Sequence, residues 1–231
     1  MCSNYTPTRT ERMAAYYGVA APPSAAFSEE AYPASMAPIL RLPSGGEDGG
    51  GNECVAACFG MVPHWADPKL AKHTYNARSE TVASKPSFRH AFRRRQFCVI
   101  PADDFFEPCY ESGKAVRWQI AHADGRPLSI AGIWDYRPAT PDADALVSFS
   151  MLTINADDHP LMRRFHRPED EKRMLVLLRD EDIDSWLHAP LEQVPSFLTP
   201  YPADALVAKP APRPTARRSR ERDGGVSGSL F

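Results

Sequence analysis

The sequence predicts an α+β protein organised around a mostly antiparallel sheet. Short apolar runs recur between clusters of Gly, Pro, Asp and Asn, as in strands joined by turns. Helical spacing of apolar residues is confined to brief stretches. Helices and hairpin-like pairs interleave without the strand–helix–strand rhythm of a parallel sheet. With 231 residues, 43% of them hydrophobic and 24% charged, the chain has the size and make-up of one ordinary globular domain.

Taken in order, "TPTRTERMAAYYG" predicts a short helix with Thr8 or Thr10 as its cap and Met13, Tyr16 and Tyr17 on the apolar side. The prolines of "YPASMAPILRLP" favour an extended segment, and "SGGEDGGGN" has the composition of a surface loop. "ECVAACFGMVPHW" reads as a buried strand ending at Pro63. In "SKPSFRHAFRRRQFCVIPADDFFEP", Phe88 and Phe92 stand at helical spacing. Two short strands, "FCVIP" and "FFE", are then expected around an Asp turn. "AVRWQIAH" and "LSIAGIWDY" flank "ADGR" as a predicted hairpin, and "ALVSFSMLTIN" is a further strand. "DHPLMRRF" is a short helix, "RMLVLL" a strand, and "DEDIDSWLHA" a helix with acid in its first turn. Past about Pro190 the composition turns to Pro, Arg and Gly, so residues 2–189 are expected to fold and 190–231 to form a disordered basic tail.

Several function classes are set aside by composition. No segment approaches a membrane span, and the N-terminus shows no pattern of a secretory signal, so a cytoplasmic protein without a membrane partner is expected. Cys2, Cys54, Cys58, Cys98 and Cys109 make an odd count without an export signal, which points to free thiols. Cys54 and Cys58 have no second ligand pair at zinc spacing, so no metal and no cofactor are called for. The net charge of −2 means that a nucleic-acid partner would be met by a local basic patch.

The chemistry begins at "MCSNY". Removal of Met1 ahead of a small residue exposes Cys2 with an amine of pKa about 8 and a thiol of about 8.5 on adjacent carbons. Three other stretches set polar residues where a strand pattern would prefer apolar ones: "YNARSET", "PADDFFEP" and "FHRPEDEKRM". In this order and spacing they resemble the SOS response-associated peptidase (SRAP) family, the abasic-site processing proteins that crosslink themselves to DNA through an N-terminal cysteine. The likeness runs from Cys2 to about Ala189 and includes "GMVPHW", "AGIWD" and "MLTINA".

That resemblance implies a barrel-like sheet core and a monomer acting on abasic sites in single-stranded DNA, nucleoid-associated in a bacterium, with replication-fork partners left open. It implies catalytic roles for Cys2, Asn76, Glu107 and His166. The aminothiol of Cys2 traps the aldehyde of the ring-opened sugar as a thiazolidine, intramolecular closure favouring the ring. Glu107, set among Phe105, Phe106 and Pro108, suits a proton shuttle, and His166 suits exchange with the sugar ring oxygen. Asn76 is a neutral amide able to hold the N-terminal residue. His159, beside Pro160, reads as a capping or surface residue instead.

DNA contacts are implied for Asn4, Pro63, Trp65, Arg78, Lys85, Arg167 and Arg173, with Arg89 and the run Arg93, Arg94 and Arg95 as a solvated face or a phosphate track. Two departures stand out: Ser3 and Asn4 replace the family's Gly-Arg, and "RPEDEK" separates His166 from Arg173 and Met174, so either Arg167 or Arg173 accompanies His166. Two other classes compete. An N-terminal-nucleophile amidotransferase also exposes a cysteine but needs an oxyanion hole and a glutamine pocket. A non-catalytic binding module leaves Asn76, Glu107 and His166 without a role.

Overall fold

The computed structural model describes residues 2–43, 51–141 and 143–213. Eleven strands run β1 Tyr5–Pro7, β2 Met36–Arg41, β3 Glu53–Phe59, β4 Asn76–Arg78, β5 Phe97–Cys109, β6 Val116–His122, β7 Leu128–Arg137, β8 Leu146–Asn155, β9 Arg173–Leu175, β10 Leu177–Leu178 and β11 Leu206–Pro210. Four short helices accompany them: α1 Thr10–Tyr17, α2 Arg89–Arg93, α3 Ile183–His188 and α4 Val194–Phe197.

Strands β7, β8, β3, β2 and β5 pair in that order, and β5 pairs back onto β7, closing a five-stranded barrel. The β3–β8 contact is parallel and the others in the ring are antiparallel. Its core is aromatic and aliphatic, with Phe59, Phe149, Phe97, Ile100 and Ile133 fully or almost fully buried. The ring of Phe59 stacks on Phe149 at 5.2 Å and meets the Tyr5 ring edge-on at 5.3 Å. At Gly132 of β7 only glycine fits, since a Cβ there would run into Ile100 Cδ1 of β5 and lie 2.7 Å from the Ser150 carbonyl oxygen of β8.

The α+β class and the mostly antiparallel, barrel-like sheet are as the sequence suggests; several local expectations need correction. There is no Asp turn between two short strands. β5 is one strand of 13 residues, because the carboxylates that suggested a turn are satisfied by neighbouring strands and by α1. Asp104 accepts from Thr6 Oγ1 at 2.7 Å and Gln119 Nε2 at 2.6 Å, and Asp103 accepts from Arg12 at 2.6 Å. The β6–β7 hairpin is also absent. Both strands run antiparallel to β5, β7 along Phe97 to Ala102 and β6 along Asp104 to Pro108. They therefore point the same way and cannot pair as a hairpin.

"RMLVLL" divides at Val176 into β9, which pairs with β8, and β10, which pairs with β7. The helix expected around Phe88 and Phe92 is limited to Arg89–Arg93. The chain past Pro190 is not tail at first: residues up to Pro210 form α4 and then β11, which pairs along all of its length with β6. Apolar anchors Val194, Tyr201 and Leu206 bury there despite the proline-rich composition. Residues 214–231, and 44–50 of the glycine-rich loop, lie outside the described residues. All five cysteines are buried, free thiols, and among the described residues no helix is long and apolar enough to cross a membrane.

Candidate active site

The N-terminal segment reaches the core because it is laced to β5. Tyr5 pairs with Phe105, and the Phe106 N–H donates to the Asn4 carbonyl at 2.9 Å. Cys2 is left only 1% exposed. Its Sγ donates to the Asn4 carbonyl at 3.3 Å, and its own carbonyl accepts from Asn76 Nδ2 at 2.7 Å. Asn76 opens β4, whose parallel pairing with β8 sets it opposite Met151. Asn76 Oδ1 is buried and has no hydrogen-bond partner among the described residues, so this amide keeps one acceptor for an incoming group.

Glu107 sits on β5 on the same face as Phe105 and Cys109, given the two-residue alternation of a strand. Its side chain is 2% exposed, and Oε2 lies 3.0 Å from His166 Nε2. His166 takes φ +63°, a left-handed conformation uncommon for a residue with a side chain. The backbone holds it there: its N–H donates to the Pro108 carbonyl at 2.7 Å, and it bridges to Cys109 at the end of β5. Strain of this kind persists where surrounding structure over-determines it, and it clusters at functional sites.

Burial first, and the negative Glu107 second, push the Cys2 thiol far above its ordinary value, so it rests protonated. The Tyr75 phenol is also pushed up, chiefly by burial. Tyr75 stands next to Asn76 in the chain and sets its ring edge-on to Phe59 at 5.8 Å. Cys2, Asn76, Glu107 and His166 come from four distant stretches: Asn76 bonds the Cys2 backbone, and the buried Glu107 carboxylate meets the part-exposed His166 imidazole. His159 is not part of this cluster. It is buried, its Nδ1 accepts from the N–H groups of Leu161 and Met162 at 3.2 and 3.0 Å, and its Nε2 meets the Tyr201 carbonyl at 2.8 Å. It caps the turn Met162–Arg164 and has no surface role.

The expected DNA contacts divide. Trp65 is 55% exposed, and Arg78, Lys85 and Arg167 are also exposed. Arg78, two residues on from Asn76, pairs with Glu171 at 2.6 Å, and the Arg167 guanidinium lies 5.9 Å from the Tyr110 ring. Arg173, Asn4 and Pro63 are buried. Arg173 is 2% exposed and donates to both Glu80 oxygens, to Glu171 and to Thr153. Asn4 is buried and accepts from Arg117 Nη2 at 2.6 Å. The Pro63 ring is packed in the interior, leaving Trp65 as the surface of that segment. A 570 Å³ cavity lined by Thr6, Thr8, Arg9, Phe27 and Glu30 among others includes none of the four clustered residues.

The family model described as "SOS response associated peptidase (SRAP)" matches residues 1–214. The chain belongs to that family. It is 31% identical over 166 residues to the abasic site processing protein YoqW of Bacillus subtilis, covering 70% of each chain. It is 26% identical over 151 residues to the abasic site processing protein HMCES of Gallus gallus, covering 56% of this chain and 43% of that one. A crystal structure of a protein from Bordetella bronchiseptica superposes with a TM-score of 0.80 at 39% identity, covering 91% of this chain and 99% of the other. One from Bacteroides thetaiotaomicron superposes with a TM-score of 0.76 at 22% identity, covering 90% of each, a likeness of fold. The SRAP match continues past Pro190 to the end of the described residues, in keeping with a folded β11.

Proposed function

We propose that this SRAP protein processes abasic sites by crosslinking itself to them in single-stranded DNA through Cys2, once Met1 has been removed, and shields the lesion as a covalent adduct. The observation that carries the reading is the cluster itself: Cys2 held by Asn76 beside the pairing of buried Glu107 with His166. The names of the relatives, abasic site processing proteins, agree with it.

In this mechanism the free amine of Cys2 adds to the C1′ aldehyde of the ring-opened sugar. The carbinolamine loses water to give a protonated Schiff base. The thiol sulfur then forms its bond to C1′ as the π electrons return to nitrogen and the thiol proton passes to a base. One aldehyde and one aminothiol give a thiazolidine and one water, with no oxidant or reductant. Glu107 takes the proton from the Cys2 amine, returns one to the departing hydroxyl as water leaves, and then takes the thiol proton, while His166 exchanges protons with the sugar oxygen as the ring opens, roles that suit a hydrogen-bonded carboxylate–imidazole pair. Asn76 orients the Cys2 backbone without competing for protons.

A thiol kept protonated until the Schiff base exists fits this order of steps better than a free-standing thiolate nucleophile, which needs a lowered pKa. Turning the sugar inward costs least where there is no base to unstack. Outside the cluster, Arg78, Lys85 and Arg167 supply phosphate contacts and Trp65 a stacking face. The experiment is incubation with an abasic-site oligonucleotide and an intact control, followed by denaturing electrophoresis. An abasic-specific, denaturation-resistant band that Cys2→Ala abolishes is expected, and no band on the abasic strand refutes the reading.

A further inference from the structure

Resting on that reading, we infer that Arg117 is a positioning residue: from the opposite face of β5, it clamps the N-terminal segment so that Cys2 is held against Glu107. Position 117 lies on β6 opposite Pro108, which puts its side chain on the face of Phe106 and Asp104, while Glu107 points to the other face. The guanidinium lies 3.3 Å from the centre of the Phe106 ring, closer than needed for a cation–π contact. From there Nη2 donates to Asn4 Oδ1 at 2.6 Å and to Glu30 at 2.8 Å. The Arg117 carbonyl accepts from the Ala211 N–H at 2.8 Å, so β11 and the residues after it brace the arginine from behind.

The chain of contacts leads to the reacting atoms. Asn4, gripped by Arg117, donates through Nδ2 to the Ala31 carbonyl at 3.3 Å. The Asn4 carbonyl is the group that both the Phe106 N–H and the Cys2 thiol meet. Releasing Asn4 therefore frees Cys2 from β5, the strand that carries Glu107. Glu30 completes the clamp. Burial acts to raise its carboxyl, but hydrogen bonds from Tyr32, Arg117 and Asn4 outweigh this and hold it below its ordinary value, so it remains a charged anchor. Engaged by Glu30 and Asn4 and only 20% exposed, Arg117 acts on the chemistry through Asn4 and not by touching DNA. In a chain with Asn4 at this position, an arginine from a different strand occupies the neighbourhood of the N-terminus.

The test compares wild type, Arg117→Ala, Arg117→Lys, Asn4→Ala and the Arg117→Ala/Asn4→Ala pair in three measurements: affinity for an intact single-stranded oligonucleotide, first-order crosslinking rate at saturating abasic oligonucleotide, and alkylation of Cys2 by iodoacetamide, mapped by peptide mass. Arg117→Ala is expected to leave the Kd unchanged, to slow crosslinking about tenfold or more, as for a misplaced reacting group, and to speed Cys2 alkylation. Arg117→Lys, which keeps the charge without the planar fork, is expected between the two. The double variant should be no slower than either single one, since both break one link.

A loss confined to Kd would make Arg117 a phosphate contact and overturn the inference. So would a crosslinking rate or a Cys2 alkylation rate that does not respond. Should Arg117→Ala fail to fold, Arg117→Lys and Asn4→Ala carry the same three measurements. If wild type itself formed no adduct, the functional reading would fail while the alkylation comparison still judged the clamp.

Discussion

Arg78 and Arg173 both donate to Glu171, yet they sit in opposite surroundings. Arg78, at the end of β4, is 46% exposed and has that single carboxylate. Arg173, at the start of β9, is 2% exposed and is enclosed by Glu80, Glu171 and the Thr153 carbonyl and hydroxyl. One ion pair can be exchanged for a phosphate at little cost, because exposed pairs contribute little to stability. The other is a fastener between β8, β9 and the turn after Arg78. A similar division holds elsewhere: Cys2, Asn76 and Glu107 are buried, whereas Arg78, Lys85 and Arg167 are exposed to solvent.

The largest effect that sharpens this contrast is expected inside the cluster. His166→Ala should slow adduct formation by roughly a hundredfold, the loss typical of a general acid or base, while His159→Ala should lower thermal stability and leave the rate per folded molecule unchanged. Crosslinking time courses alongside thermal melts separate the two, and the reverse ranking would assign the proton transfer to His159. Next in size is Arg173→Ala, expected to cost about 2 kcal/mol of unfolding free energy through lost charge-assisted hydrogen bonds. Urea denaturation measures it, and the affinity of the folded protein for DNA should not change.

Acid should erase part of that difference. Hydrogen bonds from Arg173 hold the Glu80 carboxyl below its ordinary value of 4.5. A carboxyl depressed in the fold contributes stability above its unfolded pKa and loses it as pH falls through the folded one. The gap between wild type and Arg173→Ala should therefore be full at pH 7 and narrow once the pH drops below about 4.5. A gap that widens in acid would mean that Glu80 is not the partner that matters.

Smaller again are the effects at the rim. Trp65→Ala should weaken single-strand binding by about 1–3 kcal/mol if a base stacks on it. Arg78→Ala should leave stability within about 0.5 kcal/mol, while reducing the salt dependence of binding by about 0.7 in log–log slope, the share of one single-strand phosphate. Titrations at several salt concentrations check both. An Arg78 variant that lost stability without changing the slope would place Arg78 with Arg173, among the fasteners.

The same division explains what was legible in the sequence. Cys2, Asn76, Glu107 and His166 stand in short motifs whose order survives in one dimension; β4 and β5 carry Asn76 and Glu107, and segments bonded to β5 bring in Cys2 and His166. Partners reached across the sheet do not announce themselves. The pair Asp103–Asp104 looks like a turn until Arg12, Thr6 and Gln119 are seen to hold it within β5. Neither Arg167 nor Arg173 reveals its burial from spacing, since the two are separated only by the acidic stretch "RPEDEK". Arg117 had no local signal beyond a cation in a strand. The fold past Pro190 was hidden because proline-rich composition resembles a tail, although Val194, Tyr201 and Leu206 were there to anchor it.

The central claim, that Cys2 acts as an N-terminal aminothiol, is tested most directly by the covalent state of a protein whose terminus is controlled. With Met1 retained, the Cys2 nitrogen is an amide with a delocalised lone pair, and neither Schiff base nor thiazolidine can form. Intact mass spectrometry of each form after incubation with an abasic oligonucleotide gives the answer. The account predicts an adduct of protein plus oligonucleotide less one water, unaltered by borohydride, for the form beginning at Cys2, and no stable adduct for the form with a blocked Met1. An equally abundant adduct on the blocked form would contradict it.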